Sequence, residues 1–115
     1  MTDRQPTVAR HELPLLDEAA LRAARAFDAL VAAAREAGNE RWLAFLEPLP
    51  DRLRDDEPVA LRRTARRCRS AFGPGDSVLA ALPFEGAIVA QHAIDELIRR
   101  LARLEMAGDR SEAIQ

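Results

Sequence analysis

At 115 residues, 48% hydrophobic and 31% charged, the chain is long enough for one core, too apolar for a disordered segment and short for two domains. Its formal net charge of −2 excludes a global attraction to nucleic acid or to an anionic membrane. No apolar run approaches the roughly 18 residues of a membrane span.

Charge is unevenly distributed. Residues 1–60 hold 12 acids and 8 arginines, residues 61–72 hold five arginines and no acid, and residues 73–115 hold 7 acids and 4 arginines. All 17 basic side chains are arginine, which fits the codon usage of a GC-rich bacterial genome better than selection for bidentate contacts.

Residues 1–13 carry Pro6, scattered charges and no hydrophobic period, and read as a flexible tail. The stretch from Met1 to Leu16 lacks the hydrophobic region of a signal peptide, so a cytoplasmic location is expected. A first helix is predicted from about Leu15 to Ala37, with Asp17 and Glu18 at its positive end and Gly38-Asn39 as its stop. Its core face is Leu16, Ala20, Ala24, Phe27, Leu30, Val31 and Ala34, and so many alanines imply close approach of a neighbouring helix.

Asn39 can cap a second helix, Glu40 to Glu47, which Pro48 and Pro50 break; a short turn, Asp51 to Arg54, is expected next. Trp42, Leu43, Phe45 and Leu46 are four large apolar residues in five positions and cover every face of so short a helix. Trp42 and Phe45 therefore read either as core or as exposed anchors for a partner or a second copy.

Asp55, Asp56 and Glu57 precede Pro58, a combination that favours a helix start. The helix that follows carries Leu61, Ala65, Cys68 and Phe72 as an apolar stripe. Arg62, Arg66 and Arg69 flank that stripe on one side, Arg63 and Arg67 on the other. Cys68, the single cysteine, reads as a small buried hydrophobe rather than a nucleophile. Three readings of the arginines stand: a solvated, partly salt-bridged face, a docking patch for an acidic protein surface, or a nucleic-acid site. Against the last stand the acidic remainder of the chain and a following segment that is short, apolar and without basic or amide side chains.

Gly73-Pro74-Gly75 cannot be helical, and Asp76 or Ser77 then caps a short helix, Val78 to Leu82, closed by Pro83. Backbone N–H groups there could meet an anion, but the loop has no Walker lysine or spacing and follows a helix; a helix–turn–cap is the simpler reading. The last helix is expected from Phe84 or Glu85 to Met106, with Ala87, Ala90, Ile94, Leu97, Ile98, Leu101 and Leu104 as its core stripe. Nothing alternates with period two. The expected fold is all-α: one helical domain over residues 14–107, a compact bundle of three to four main helices with a short extra helix after the Gly-Pro-Gly turn, and a frayed tail over 108–115.

Catalytic chemistry finds little to work with. His11 lies in the tail, and His92 sits one turn before Glu96 as a solvated pair. No nucleophile, base and orienter come together. Two histidines and one buried cysteine make no four-ligand zinc set. Asp95 and Glu96 diverge on a helix, and Asp55-Asp56-Glu57 already serves a helix start. No enzyme, cofactor or metal is expected.

The run Glu40-Arg41-Trp42-Leu43-Ala44-Phe45-Leu46, followed by Ser70-Ala71-Phe72-Gly73-Pro74-Gly75-Asp76-Ser77, resembles a signature of small bacterial helical proteins of unknown function. In these an E-R-W-x-x-x-L helix precedes S-A-[FY]-G-x-x-x-S. The resemblance covers residues 16–82 and implies an immunity or defence-associated accessory role, with no established chemistry to carry over. Pro74-Gly75-Asp76 stands where that pattern has a glycine-rich, less constrained stretch.

These readings converge on a non-catalytic cytoplasmic protein-binding module: an adaptor, or an immunity or antitoxin-like regulator. It would bind an acidic protein surface through Arg62, Arg63, Arg66, Arg67 and Arg69, with Trp42 and Phe45 as apolar anchors. The alternative is a nucleic-acid-binding regulator using the same arginine helix, and an orphan accessory domain or a small-ligand binder in the helical core is the third. No membrane partner is expected; a homodimer stays open.

Overall fold

Pro14 starts the first helix at a position where the missing N–H is not needed, and the computed structural model carries α1 from there over Pro14–Glu36. The structure describes residues 8–114, with side chains for residues 8–104. Gly38 ends α1 in the left-handed region, φ +68°, and donates to Arg35 O while Asn39 N donates to Ala34 O, so these two carbonyls of the last turn are satisfied. Asn39 then turns its side chain forward: Oδ1 accepts from Trp42 N at 3.2 Å and starts α2, Glu40–Leu46. Two adjacent residues thus end one helix and begin the next.

After α2 come α3, Leu49–Asp55, and α4, Pro58–Arg69, which tightens into a 3-10 turn over Ser70–Phe72. Ser77 Oγ accepts from Leu79 N at 3.1 Å and caps α5, Val78–Ala81. The last helix, α6, spans Glu85–Ile114. Among the described residues there is no strand, and the fold is the compact all-helical form expected.

α1 is the central element and packs against α6, α3 and α2, while α4 fills the space between α3 and α6. Ala19, Ala20, Ala23 and Ala24 of α1 are all buried, as are Ala87, Ala90 and Ala93 of α6. Small side chains on both helices let the backbones approach. Larger groups fill the rest: Phe27, Leu30, Leu46, Leu49, Leu53, Leu61, Ile94 and Leu97 are fully buried. Phe27 meets Phe72 edge to face at 6.2 Å, tying the 3-10 turn after α4 to the middle of α1. Val31, Ile98 and Leu104, expected in the core, are half-buried at its margin.

Three expectations are corrected. Residues 8–13 are not a loose tail: Arg10–Glu12 form a 3-10 turn and Arg10 is 3% exposed. Its backbone N donates to Glu57 Oε1 at 2.8 Å, its Nη1 to Asp56 O at 2.8 Å and its Nε to Asp17 Oδ1 at 2.7 Å. Thr64 Oγ1 donates to Asp56 Oδ2. Asp56 and Glu57 therefore hold the N-terminal turn against α4, beyond any service to the helix dipole. Residues 1–7 of the expected tail lie outside the described residues.

Next, Asp51 to Arg54 is no isolated turn but part of the seven-residue α3, because Pro50 occupies the first helical turn, where proline has no hydrogen bond to lose. Finally, α6 does not stop near Met106; it continues through Gly108 to Ile114. A glycine in a helix interior is a penalty of about 1 kcal/mol, not a stop. Gln115 lies outside the described residues. No helix among the described residues is long and apolar enough to cross a membrane.

Candidate functional site

α4 buries Pro58, Leu61, Thr64, Ala65 and Cys68, so its arginines are forced to the flanks and the outer face. There they take different environments. Arg69 turns to α6 and pairs through Nε with Asp95 Oδ1 at 3.2 Å. Arg62 is half-buried and, with Ala65, Arg66, Ile98 and Leu101, lines a cleft of about 140 Å³ between α4 and α6. Arg67 turns the other way and stacks its guanidinium over the Phe45 ring at 4.9 Å, a distance at which the ring quadrupole attracts a cation. Arg63 and Arg66 are exposed, and among the described residues neither has an ion-pair partner. The five expected arginines are therefore one surface only in part: Arg63, Arg66 and Arg67 are exposed on the outer side of α4, with Arg66 also bordering the α4–α6 cleft, while Arg62 and Arg69 lean toward α6.

Of the two expected apolar anchors, only Phe45 reaches the surface. Trp42 is 8% exposed, packed edge to face against Phe45 at 5.7 Å. It joins the core because α2 packs against α1 and α3 and turns Trp42 and Leu46 inward, a choice of side its crowded apolar pattern could not reveal.

Trp42 does border a cavity. About 320 Å³ in volume, it lies between α2 and the segment after α4, lined by Arg41, Trp42, Phe45, Ser70, Pro74 and Asp76. Arg41 lies over the Trp42 ring at 5.6 Å and pairs with Asp76, bridging α2 to the loop at residues 73–77. Gly73, at φ +106°, turns the chain out of the 3-10 turn so that Pro74 and Asp76 come back toward α2. Ser70 Oγ donates to Arg67 O at 2.6 Å. Trp42, Phe45 and Pro74 give the cavity its apolar walls, Arg41 and Asp76 are its charged lining, and Arg67 lies on the neighbouring Phe45 ring.

Arg41, Ser70, Pro74 and Asp76 were missed as site residues from composition and spacing. They belong to two segments some 30 positions apart, and only the packing of α2 beside the 3-10 turn joins them.

Reactive chemistry is muted elsewhere. Burial pushes the Cys68 thiol from its ordinary 9.0 up to about 12, with Arg67 pulling weakly downward, so the thiolate is suppressed. Glu96 is engaged by Arg99 Nη2 at 3.0 Å and Arg100 Nε at 2.9 Å; the hydrogen bond from Arg99 chiefly holds its carboxyl below the ordinary range. Those arginines, and not His92, are its partners. Among the described residues no three His, Cys, Asp or Glu side chains gather as a metal-holding group. No family model, curated protein or solved structure matches the chain.

Proposed function

We propose that this chain is a non-catalytic protein-binding module whose α4 face docks an acidic surface of another protein. One observation carries the reading: Arg63, Arg66 and Arg67 stand within two helical turns on the outward face of α4, without an ion-pair partner among the described residues. Like charges three and four positions apart on a helix repel by a few tenths of a kcal/mol per pair. Carboxylates brought by a partner would relieve that repulsion and accept bidentate hydrogen bonds. Arg67 is already ordered by Phe45, which lowers the entropy lost on docking.

The suppressed thiol of Cys68 supports the non-catalytic reading. The adaptor, immunity or antitoxin-like form of the role, in the cytoplasm of a bacterium, is carried by the sequence resemblance. Its two segments both contribute side chains to the cavity beside Arg67, which supports reading them as one site. A duplex is the poorer fit. Three outward arginines neutralise few phosphates, Asp95 sits against Arg69, and Asp76 sits against Arg41 of α2.

The test is affinity capture from the source cell with the native chain and with Arg63→Glu, Arg66→Glu and Arg67→Glu combined. The expected result is an acidic protein captured by the first and lost by the second, with helical circular dichroism unchanged. Arginines that only solvate the helix would give equal capture. Micromolar or tighter binding to random-sequence duplex DNA at physiological salt would replace the reading with the nucleic-acid one, provided the salt slope flattens by about one unit per arginine removed.

A further inference from the structure

Resting on the docking role proposed for α4, we infer that the cavity between α2 and the 73–77 loop receives a bulky apolar side chain of the same acidic partner segment. Residues 63, 67 and 70 lie along one stripe of the helical surface, spaced by four and three positions. Ser70 at the end of that stripe lines the cavity, and Arg67 in its middle stacks on Phe45, which lines it too. From residue 63 to residue 70 the helix rises about 10 Å. An extended segment covers that length in about three residues. Carboxylates held at Arg63 and Arg66 thus place a residue about three positions on at the mouth of the cavity.

The chemistry of the walls selects what enters. Trp42, Phe45 and Pro74 offer apolar surface, and about 320 Å³ is at the small end for a ligand pocket, enough for one large side chain. A cationic group is disfavoured, because guanidinium groups already lie over both rings: Arg41 over Trp42 at 5.6 Å and Arg67 over Phe45 at 4.9 Å. Those same two cations favour acidic neighbours at the rim. Arg41 and Asp76, whose side chains are each 69% exposed, bridge α2 to the loop, and so exposed a pair contributes little, leaving the rim able to open. The partner segment is therefore acidic with one aromatic or large aliphatic residue, the pattern of an apolar anchor ringed by charge.

Trp42 is the single tryptophan and the chain has no tyrosine, so intrinsic fluorescence reports directly on this cavity. The full chain is titrated with a blocked peptide in which a run of glutamates is followed three residues on by phenylalanine, and with a twin carrying serine there. The phenylalanine peptide should bind about tenfold tighter or better, the share expected from burying most of an aromatic side chain, and shift the Trp42 emission. Ser70→Phe fills the cavity from its rim without removing a core contact. In that variant the tenfold advantage and the emission shift should vanish while the twin binds as before. Arg63→Glu with Arg66→Glu should abolish binding of both peptides.

Equal affinities for the two peptides in the native chain, with loss of both in the arginine variant, would overturn the cavity and leave the docking role standing. An advantage for phenylalanine that survives Ser70→Phe would place the apolar contact elsewhere. Binding of neither peptide by a folded chain would overturn both readings.

Discussion

Five arginines of one type on one helix end in unlike environments, and the difference is set by what each neighbouring residue buries. Arg67 reaches toward α2 and finds an aromatic ring; Arg69 faces α6 and finds Asp95. Cys68, between them, is carried inward by the same rotation. Its chemistry follows from that placement: desolvation holds the thiol protonated far above ordinary pH, with a folded value of about 12 against 9.0. Iodoacetamide near neutral pH should therefore label Cys68 at least tenfold more slowly in the folded chain than in urea, since only the thiolate reacts and access is blocked. Rapid labelling of the folded chain would show an exposed, activated thiol and reopen a catalytic role. The sign of the linkage follows. The proton is retained in the folded state and lost in the unfolded state above about pH 9, so the thiol's contribution is complete below that pH and erodes as pH rises toward 12.

Among the elements, those whose signals are local were legible. The Gly38-Asn39 pair stops α1 and caps α2, Ser77 caps α5, and Leu61, Ala65, Cys68 and Phe72 are buried together as their spacing requires. What escaped depends on distant partners. The turn at Arg10–Glu12 has no hydrophobic period and exists because Arg10 reaches Asp56 and Glu57 across more than 40 positions of sequence. No pattern within a window of a dozen residues contains that contact. Arg10→Met keeps the apolar stem but deletes the charged hydrogen bonds to Asp17 and to the Asp56 carbonyl. Bonds of that kind contribute about 1.5–3 kcal/mol each, and the buried Nη2, which has no acceptor among the described residues, offsets part of their sum. The urea midpoint should fall accordingly with the m-value unchanged. An unchanged midpoint would mean that residues 8–13 do not brace α4, as the tail reading had it.

On the scale of the whole molecule, the candidate site is a by-product of how the core closes. α2 folds back onto α1 and α3 because α1 stops at Gly38, and the 3-10 turn over Ser70–Phe72 comes beside it because Phe72 packs into α1 against Phe27. The cavity is the space left between those two commitments. Its lining was therefore invisible in either segment alone, although Trp42, Phe45 and Arg67 drew notice one by one for their size and charge. The same geometry links stability to the site. Phe72 is 8% exposed, and its replacement by alanine should cost about 3–5 kcal/mol, the range for losing a buried aromatic, read as a fall in the urea midpoint. Because Phe72 ends the turn that carries Ser70 and leads into Pro74, the loss should not stay in the core. Under conditions where the variant is still folded, the Trp42 emission should shift as the far wall of the cavity loosens. Phe45→Ala makes the contrast: it removes a half-buried ring from the surface side, so it should cost clearly less stability yet move the emission as much or more. A Phe72→Ala loss below about 1 kcal/mol would show that the turn hangs from the bundle without being anchored in it, and that the cavity wall is set by the 73–77 loop alone.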